Sequence, residues 1–294
     1  MIERRNFLGL PEEYARYERA RYVVLPVPYE RAVSPRQGTR GGPSALLTAS
    51  QQVDLFDEEL GFEPWKAGIH TLPPPPILRD FPAFLKSLTD LVEPHVRAGK
   101  FLLAIGGENS VTEGTLAAVS RSVPTVSVLH IGAHCELREP HGAVRRLLPY
   151  AEKIVQVGIR SMSVGTQRIQ NVRTFLAQGN RDVEALAPEA IGELGESVYL
   201  SIDLSGLDPS IVPGVRRAVP GGLGWWETLY LLREVVRART MVAADVVELC
   251  PLPDTDISEF AAARLVYRLI GYLVHKEAQK DTVRRPRTKN KGKR

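Results

Sequence analysis

Six apolar runs of strand length, each too continuous to leave one face in water, limit what this chain can fold into. They cover residues 22–27, 101–105, 125–131, 153–159, 198–203 and 242–249. A strand in a sheet wetted on one side alternates apolar with polar residues, whereas a strand covered on both faces does not. Between the runs lie segments with helical spacing: Phe84, Leu85, Leu88, Leu91, Val92 and Val96; then Ile169, Val172, Phe175 and Leu176; then Leu229, Leu232, Val235 and Val236. A further stretch from Phe260 to Val274 closes the series. Strand, helix, strand in this rhythm predicts α/β architecture, a three-layer αβα sandwich around a mainly parallel sheet. No repeat or linker interrupts it, so residues 1–283 read as a single domain.

The formal net charge of +4 suggests a polyanionic partner until the charges are located. Residues 284–294 hold seven basic side chains and no acidic one, which leaves a net −3 on residues 1–283. A short Lys/Arg tail with Pro286 and Gly292 buries nothing, so a disordered appendage is expected, able at most to touch polyanions weakly. It lacks the interleaved aromatic residues that stack on bases. No stretch approaches the roughly 18 apolar residues of a membrane-spanning helix. Residues 1–17 lack the apolar core of a secretory signal. Two cysteines, Cys135 and Cys250, are too few for a disulfide framework. These features predict a cytoplasmic protein with reduced thiols and no membrane contact.

In open parallel sheets, ligands bind beyond the carboxyl ends of the strands. Four such ends carry polar residues here: Gly106-Gly107-Glu108-Asn109-Ser110, His130-Ile131-Gly132-Ala133-His134-Cys135-Glu136, Ser201-Ile202-Asp203-Leu204-Ser205, and Asp245-Val246-Val247-Glu248. With a period of two, His130, Gly132, His134 and Glu136 face one side of an extended segment. Imidazole and carboxylate so placed, opposite an Asp from a neighbouring strand, are ligand types that suit a divalent metal. Each group alone also reads as a helix cap or turn former. His130 reads as a packed, hydrogen-bonded strand histidine. Cys135 points away from His134, which argues against a thiolate nucleophile.

Further segments add to these: Val24-Leu25-Pro26-Val27-Pro28-Tyr29-Glu30, Gly38-Thr39-Arg40-Gly41-Gly42-Pro43, Leu55-Phe56-Asp57-Glu58-Glu59-Leu60, His141-Gly142, Gly158-Ile159-Arg160-Ser161 and Pro220-Gly221-Gly222-Leu223. In this order and spacing the chain resembles the ureohydrolase family of arginases and agmatinases, on its agmatinase side and almost end to end. The resemblance implies an arginase/deacetylase-like fold. It also implies hydrolysis at a guanidino carbon by hydroxide bridging two manganese ions, with release of urea, in a homo-oligomer.

Carried over by position, the family's six metal ligands fall on Asn109, Gly132, His134, Glu136, Asp203 and Ser205. His134 and Asp203 match the family pattern, Glu136 is a methylene longer than the usual Asp, and Asn109, Gly132 and Ser205 replace ligands. Glu248 matches the carboxylate that pairs with the substrate guanidinium, and His141 matches a loop histidine that shuttles protons. Glu136 and Asp203 supply two negative charges against the four of a dication pair, and a buried charge needs pairing. The expectation is therefore a protein that has lost binuclear manganese activity and serves as a binding, regulatory or partner subunit. It would hold no cofactor, or at most one divalent manganese ion at reduced affinity. Its assembly would be a homo-oligomer, or a hetero-oligomer with an intact paralogue. One alternative is an active C–N hydrolase on a guanidino or amidine compound with an altered metal site. Another is an oligomeric platform for the polyanion-binding tail at 284–294. Arg216 and Arg217 stand where the family has small residues and would repel a cationic substrate. Either one is placed to fold into the metal site and pair with Asp203 or Glu136.

Overall fold

The computed structural model describes residues 6–31, 37–138, 142–164, 169–177 and 182–284, with side chains in the last helix described as far as Lys280. Eight strands form one sheet: β1 (Tyr22–Val27), β2 (Ile69–Thr71), β3 (Phe101–Gly106), β4 (Ser127–Ile131), β5 (Lys153–Ile159), β6 (Val172–Leu176), β7 (Ser197–Asp203) and β8 (Thr240–Val247). Their order is β2-β1-β3-β8-β7-β4-β5-β6, and every pairing is parallel. Seven helices accompany them among the described residues: α1 (Glu12–Ala15), α2 (Gly42–Ser50), α3 (Phe81–Arg97), α4 (Ser110–Ser120), α5 (Val183–Glu193), α6 (Trp225–Ala238) and α7 (Ile257–Arg284). None of the described helices is long and apolar enough to cross a membrane.

Local chemistry explains the elements that frame the site. Every residue of β1 is buried, as its unbroken Tyr-Val-Val-Leu-Pro-Val run requires. Pro26 lies within that strand without a donor to spare, and β2 pairs only with Tyr22, Val23 and Val24, so no ladder bond is lost on that side. Helix α3 starts where the Asp80 carboxylate accepts from the Ala83 N–H at 2.9 Å, and it buries Phe84, Leu88 and Val92 at four-residue spacing. Gly107 makes the turn from β3 into α4. A Cβ there would come within 2.2 Å of the Tyr29 carbonyl oxygen, which excludes every other residue.

One segment expected to be helical is a strand. Ile169, Val172, Phe175 and Leu176 have helical spacing, yet residues 172–176 pair with β5 as the edge of the sheet. An edge strand exposes half its length, so its apolar residues need not alternate strictly. The basic tail expected at 284–294 begins at the last residue of α7, and residues 285–294 lie outside the described residues.

Candidate functional site

Four adjacent central strands, β3, β8, β7 and β4, bring residues 106–110, 248, 203–205 and 132–136 to one rim of the sheet. Glu248 follows β8 directly, at φ +70°, with its N–H donating to the Gly107 carbonyl at 2.8 Å. Glu136 has φ +47°. Non-glycine residues held in the left-handed region cluster where structure serves a site rather than local stability.

Glu248 is 5% exposed and grips a guanidinium. Arg216 donates from Nε to Oε2 at 3.0 Å and from Nη2 to Oε1 at 2.6 Å, the bidentate fork of an arginine on a carboxylate. Its Nη1 lies 3.6 Å from Glu108, whose other partners are the Arg31 Nε at 2.8 Å, the Arg31 N–H at 3.2 Å and the Ser110 hydroxyl. Burial away from water, then the nearby Asp203 carboxylate, push the Glu248 pKa up to about 8, against the pull of Arg216. Desolvation works against the charged form of Arg216, but Glu248, Glu108 and Asp203 outweigh it and raise its pKa. The two shifts favour opposite proton states of the acid. The short, two-pronged contact is that of a charged pair, so the carboxylate is ionised while the guanidinium sits on it.

Asp203 is 2% exposed and engaged within the chain through both oxygens. One accepts from the Asn109 amide at 3.1 Å and the other from the Ser205 N–H at 2.8 Å. The Ser205 hydroxyl accepts from the Ala133 N–H at 3.3 Å. Glu136 pairs with Arg217 at 2.5 Å, and the Arg217 carbonyl lies 3.3 Å from His134 Nε2. Of the two loop arginines, Arg217 thus reaches Glu136, while Arg216 goes to Glu248 and Glu108 rather than Asp203.

His130 corrects its expectation. It is 3% exposed, but neither ring nitrogen has a hydrogen-bond partner among the described residues, and the Asn109 Oδ1 is likewise buried and unpartnered. A Cβ built on Gly132 would lie 2.6 Å from His130 Nε2, so the ring takes the volume that a side chain at 132 would need. Desolvation lowers the pKa of both His130 and His134 and keeps the rings neutral near pH 7. Cys135 is buried with its thiol 3.6 Å from Gln156 Oε1, and burial raises its pKa, which makes it a poor nucleophile. His141 lies outside the described residues.

Two supports lie in motifs that the sequence singles out without assigning them a role. Asp245, wholly buried on β8, accepts from the Tyr199 hydroxyl at 2.6 Å and from Ser201 at 2.9 Å. Arg160 donates to the carbonyls of Gly158, Ser205, Gly206, Leu207, Val219 and Pro220, which ties the rim loops together. The sequence also gives no role to Glu108, although it follows Gly106-Gly107 at a strand's carboxyl end, where the rim rule itself points.

These residues do not fit the family's two-metal centre. Asn109 is a donor toward Asp203 rather than a ligand beside it, the room at Gly132 is filled by an imidazole, and Glu136 is committed to Arg217. Among the described residues, no group of three or more His, Cys, Asp and Glu side chains is arranged to hold a metal ion. What the arrangement does hold is a planar guanidinium at Glu248, and, two strands along the same rim, the buried imidazoles of His130 and His134.

The chain matches the model of the Arginase family over residues 20–271. It is 39% identical over 272 residues to an N(1)-aminopropylagmatine ureohydrolase of Thermus thermophilus, covering 88% of this chain and 92% of that one. To the enzyme of that name from Synechocystis sp. it is 33% identical over 282 residues, covering 89% and 92%. The agmatine ureohydrolase of Thermoplasma volcanium shares its fold, with a TM-score of 0.82 at 24% identity over 90% of this chain and 93% of that one. The relatives overturn the expectation of a binding or partner subunit without activity. Chains this similar over nearly their whole length are named as ureohydrolases, and no observation shows that hydrolysis has been lost. On the fold, the rim motifs and these matches together, the chain belongs to the arginase family.

Proposed function

We propose that this protein is a C–N hydrolase acting on a linear guanidino or amidine compound and releasing urea from a guanidine, through a site altered from the family pattern. The observation that carries the reading is Glu248, a buried carboxylate already holding a guanidinium in bidentate geometry. A carboxylate in this place binds the reacting group of a guanidine by charge and by shape together. The neutral imidazoles of His130 and His134 lie at the same rim and can accept a proton from water. The names of the relatives support a guanidino polyamine such as N(1)-aminopropylagmatine as the substrate. A cytoplasmic location and a homo-oligomeric state belong to the same reading.

The test is urea release from N(1)-aminopropylagmatine, agmatine and arginine by the purified full chain, with and without added manganese. At least one of these is expected to yield urea, and Glu248→Gln is expected to lower kcat/KM by roughly 100-fold or more, as for loss of a charged hydrogen bond to the substrate. Neither urea nor ammonia from any of the three, under both conditions, overturns the proposal.

A further inference from the structure

Arg216 and Arg217 are consecutive, and each holds a different carboxylate of the rim: Arg216 holds Glu248 and Arg217 holds Glu136. The segment carrying them is anchored at its start. The Gly214 N–H donates to the Ser258 hydroxyl at 2.7 Å, the Gly214 carbonyl accepts from the Cys250 N–H at 2.7 Å, and Val215 bridges to Leu249, next to Glu248. Register therefore delivers the two guanidinium groups to the two carboxylates.

We infer that Arg216 and Arg217 are specificity-determining residues, tethered stand-ins for two positive centres of the ligand, and that the site selects guanidino compounds carrying a second cationic group and no carboxylate. The ligand's fate rests on the hydrolase reading; its binding does not. Glu248 is buried, and a buried carboxylate stripped of its partner is strongly disfavoured. An incoming guanidinium must take the place of Arg216 charge for charge. A ligand with one charge replaces Arg216 but leaves Arg217 on Glu136, one residue along, so the segment stays pulled toward the rim. A ligand with two charges replaces both pairs and frees the segment without baring either acid. A carboxylate on the ligand would meet Glu248, Glu136, Glu108 and Asp203 and be repelled.

Calorimetric titration of the full chain tests this with ethylguanidine, agmatine and arginine as probes. The unaltered protein is expected to bind agmatine at least tenfold more tightly than ethylguanidine, and to bind arginine more weakly than agmatine. Arg216→Ala is expected to raise ethylguanidine affinity at least tenfold by vacating Glu248. Arg217→Ala, at a side chain 58% exposed, is expected to raise agmatine affinity about threefold to fivefold, the worth of an exposed ion pair, and ethylguanidine affinity by less, through the freed segment alone. Should Arg216→Ala fail to fold by circular dichroism, Arg216→Gln carries the same expectation. Ethylguanidine binding unchanged in the Arg216 variant that folds, or agmatine binding unchanged in Arg217→Ala, overturns the inference. Urea assayed in parallel separates the two proposals. The expected binding pattern without urea removes the hydrolase and keeps the selection, whereas urea with affinities untouched by either substitution does the reverse.

Discussion

Gly132→Ala isolates the contact between the β4 rim and His130. The φ of Gly132 is not in the left-handed region, so alanine meets no backbone strain there, and the effect is steric. The added Cβ would lie 2.6 Å from Nε2, 3.2 Å from Cε1 and 3.4 Å from Cδ2 of a ring that is 3% exposed. Reaching ordinary contact requires the ring to retreat by about 0.8 Å into packed surroundings, and overpacking of this kind costs about 1–3 kcal/mol. Replacing Gly with Ala returns about 0.4–1 kcal/mol by restricting the unfolded chain. The net expectation is a loss of about 1–2 kcal/mol. With an unfolding entropy of about 2.1 cal/mol/K per residue over the 294 residues, that is a fall in Tm of about 2–3 °C. His130→Ala in the same chain removes the ring, so Gly132→Ala should cost nothing there. Thermal and urea denaturation of the two single variants and the double variant then give a coupling energy of about 1–3 kcal/mol, from which the backbone contribution cancels. Strict additivity of the two substitutions would show that the ring does not occupy the space at 132.

Asp245 predicts a pH dependence. Burial raises its pKa from 3.8 to about 6, against hydrogen bonds from Tyr199, Ser201 and Thr112. The folded state therefore holds a proton that the unfolded state has released between these values, and stability falls as pH rises from about 4 to 6. The change amounts to about 3 kcal/mol, from 1.36 kcal/mol per unit. Urea denaturation across pH 4 to 7 should show this decline in the unaltered protein and not in Asp245→Asn; parallel profiles would refute it. Arg268, 2% exposed, pairs with Asp57 at 2.5 Å and Glu59 at 3.4 Å and also holds Glu58, fastening α7 to residues 55–60. Arg268→Met should cost about 3–5 kcal/mol by leaving the buried Asp57 carboxylate with the Glu59 and Leu60 N–H groups but without its counter-charge. A Cm unchanged in urea would rule that out.

The strands buried on both faces are legible because a continuous apolar run of five to eight residues needs cover on either side. The limits of β1 and β5 match the runs at 22–27 and 153–159. The three residues of β2 are too few for any pattern, and β6 reads as a helix because half-exposure frees its apolar spacing. At the site, which residue types stand at the rim is readable, because strand ends follow from the strands. Most of their partners are not, since they join positions far apart in sequence, such as Asn109 to Asp203 and Arg31 to Glu108; the pairing of Arg217 with Glu136, which the charges of the loop and rim suggest, is the exception. The period of two puts His130 and Gly132 on one side, but that the ring fills the space above Gly132 with neither nitrogen partnered depends on packing that the pattern does not encode.

Arg160 has a mechanical effect on the segment that carries Arg216 and Arg217. Its guanidinium clasps the Val219 and Pro220 carbonyls, just as Ser258 and Cys250 hold Gly214 and Leu249 holds Val215, so only residues 216–218 lie between fixed points. Three residues span about 11 Å at full stretch, and both ends of that span are pinned. Any release of the two arginines is therefore a short bulge rather than a swinging lid. A visitor to Glu248 must thread in while the neighbouring loops stay in place.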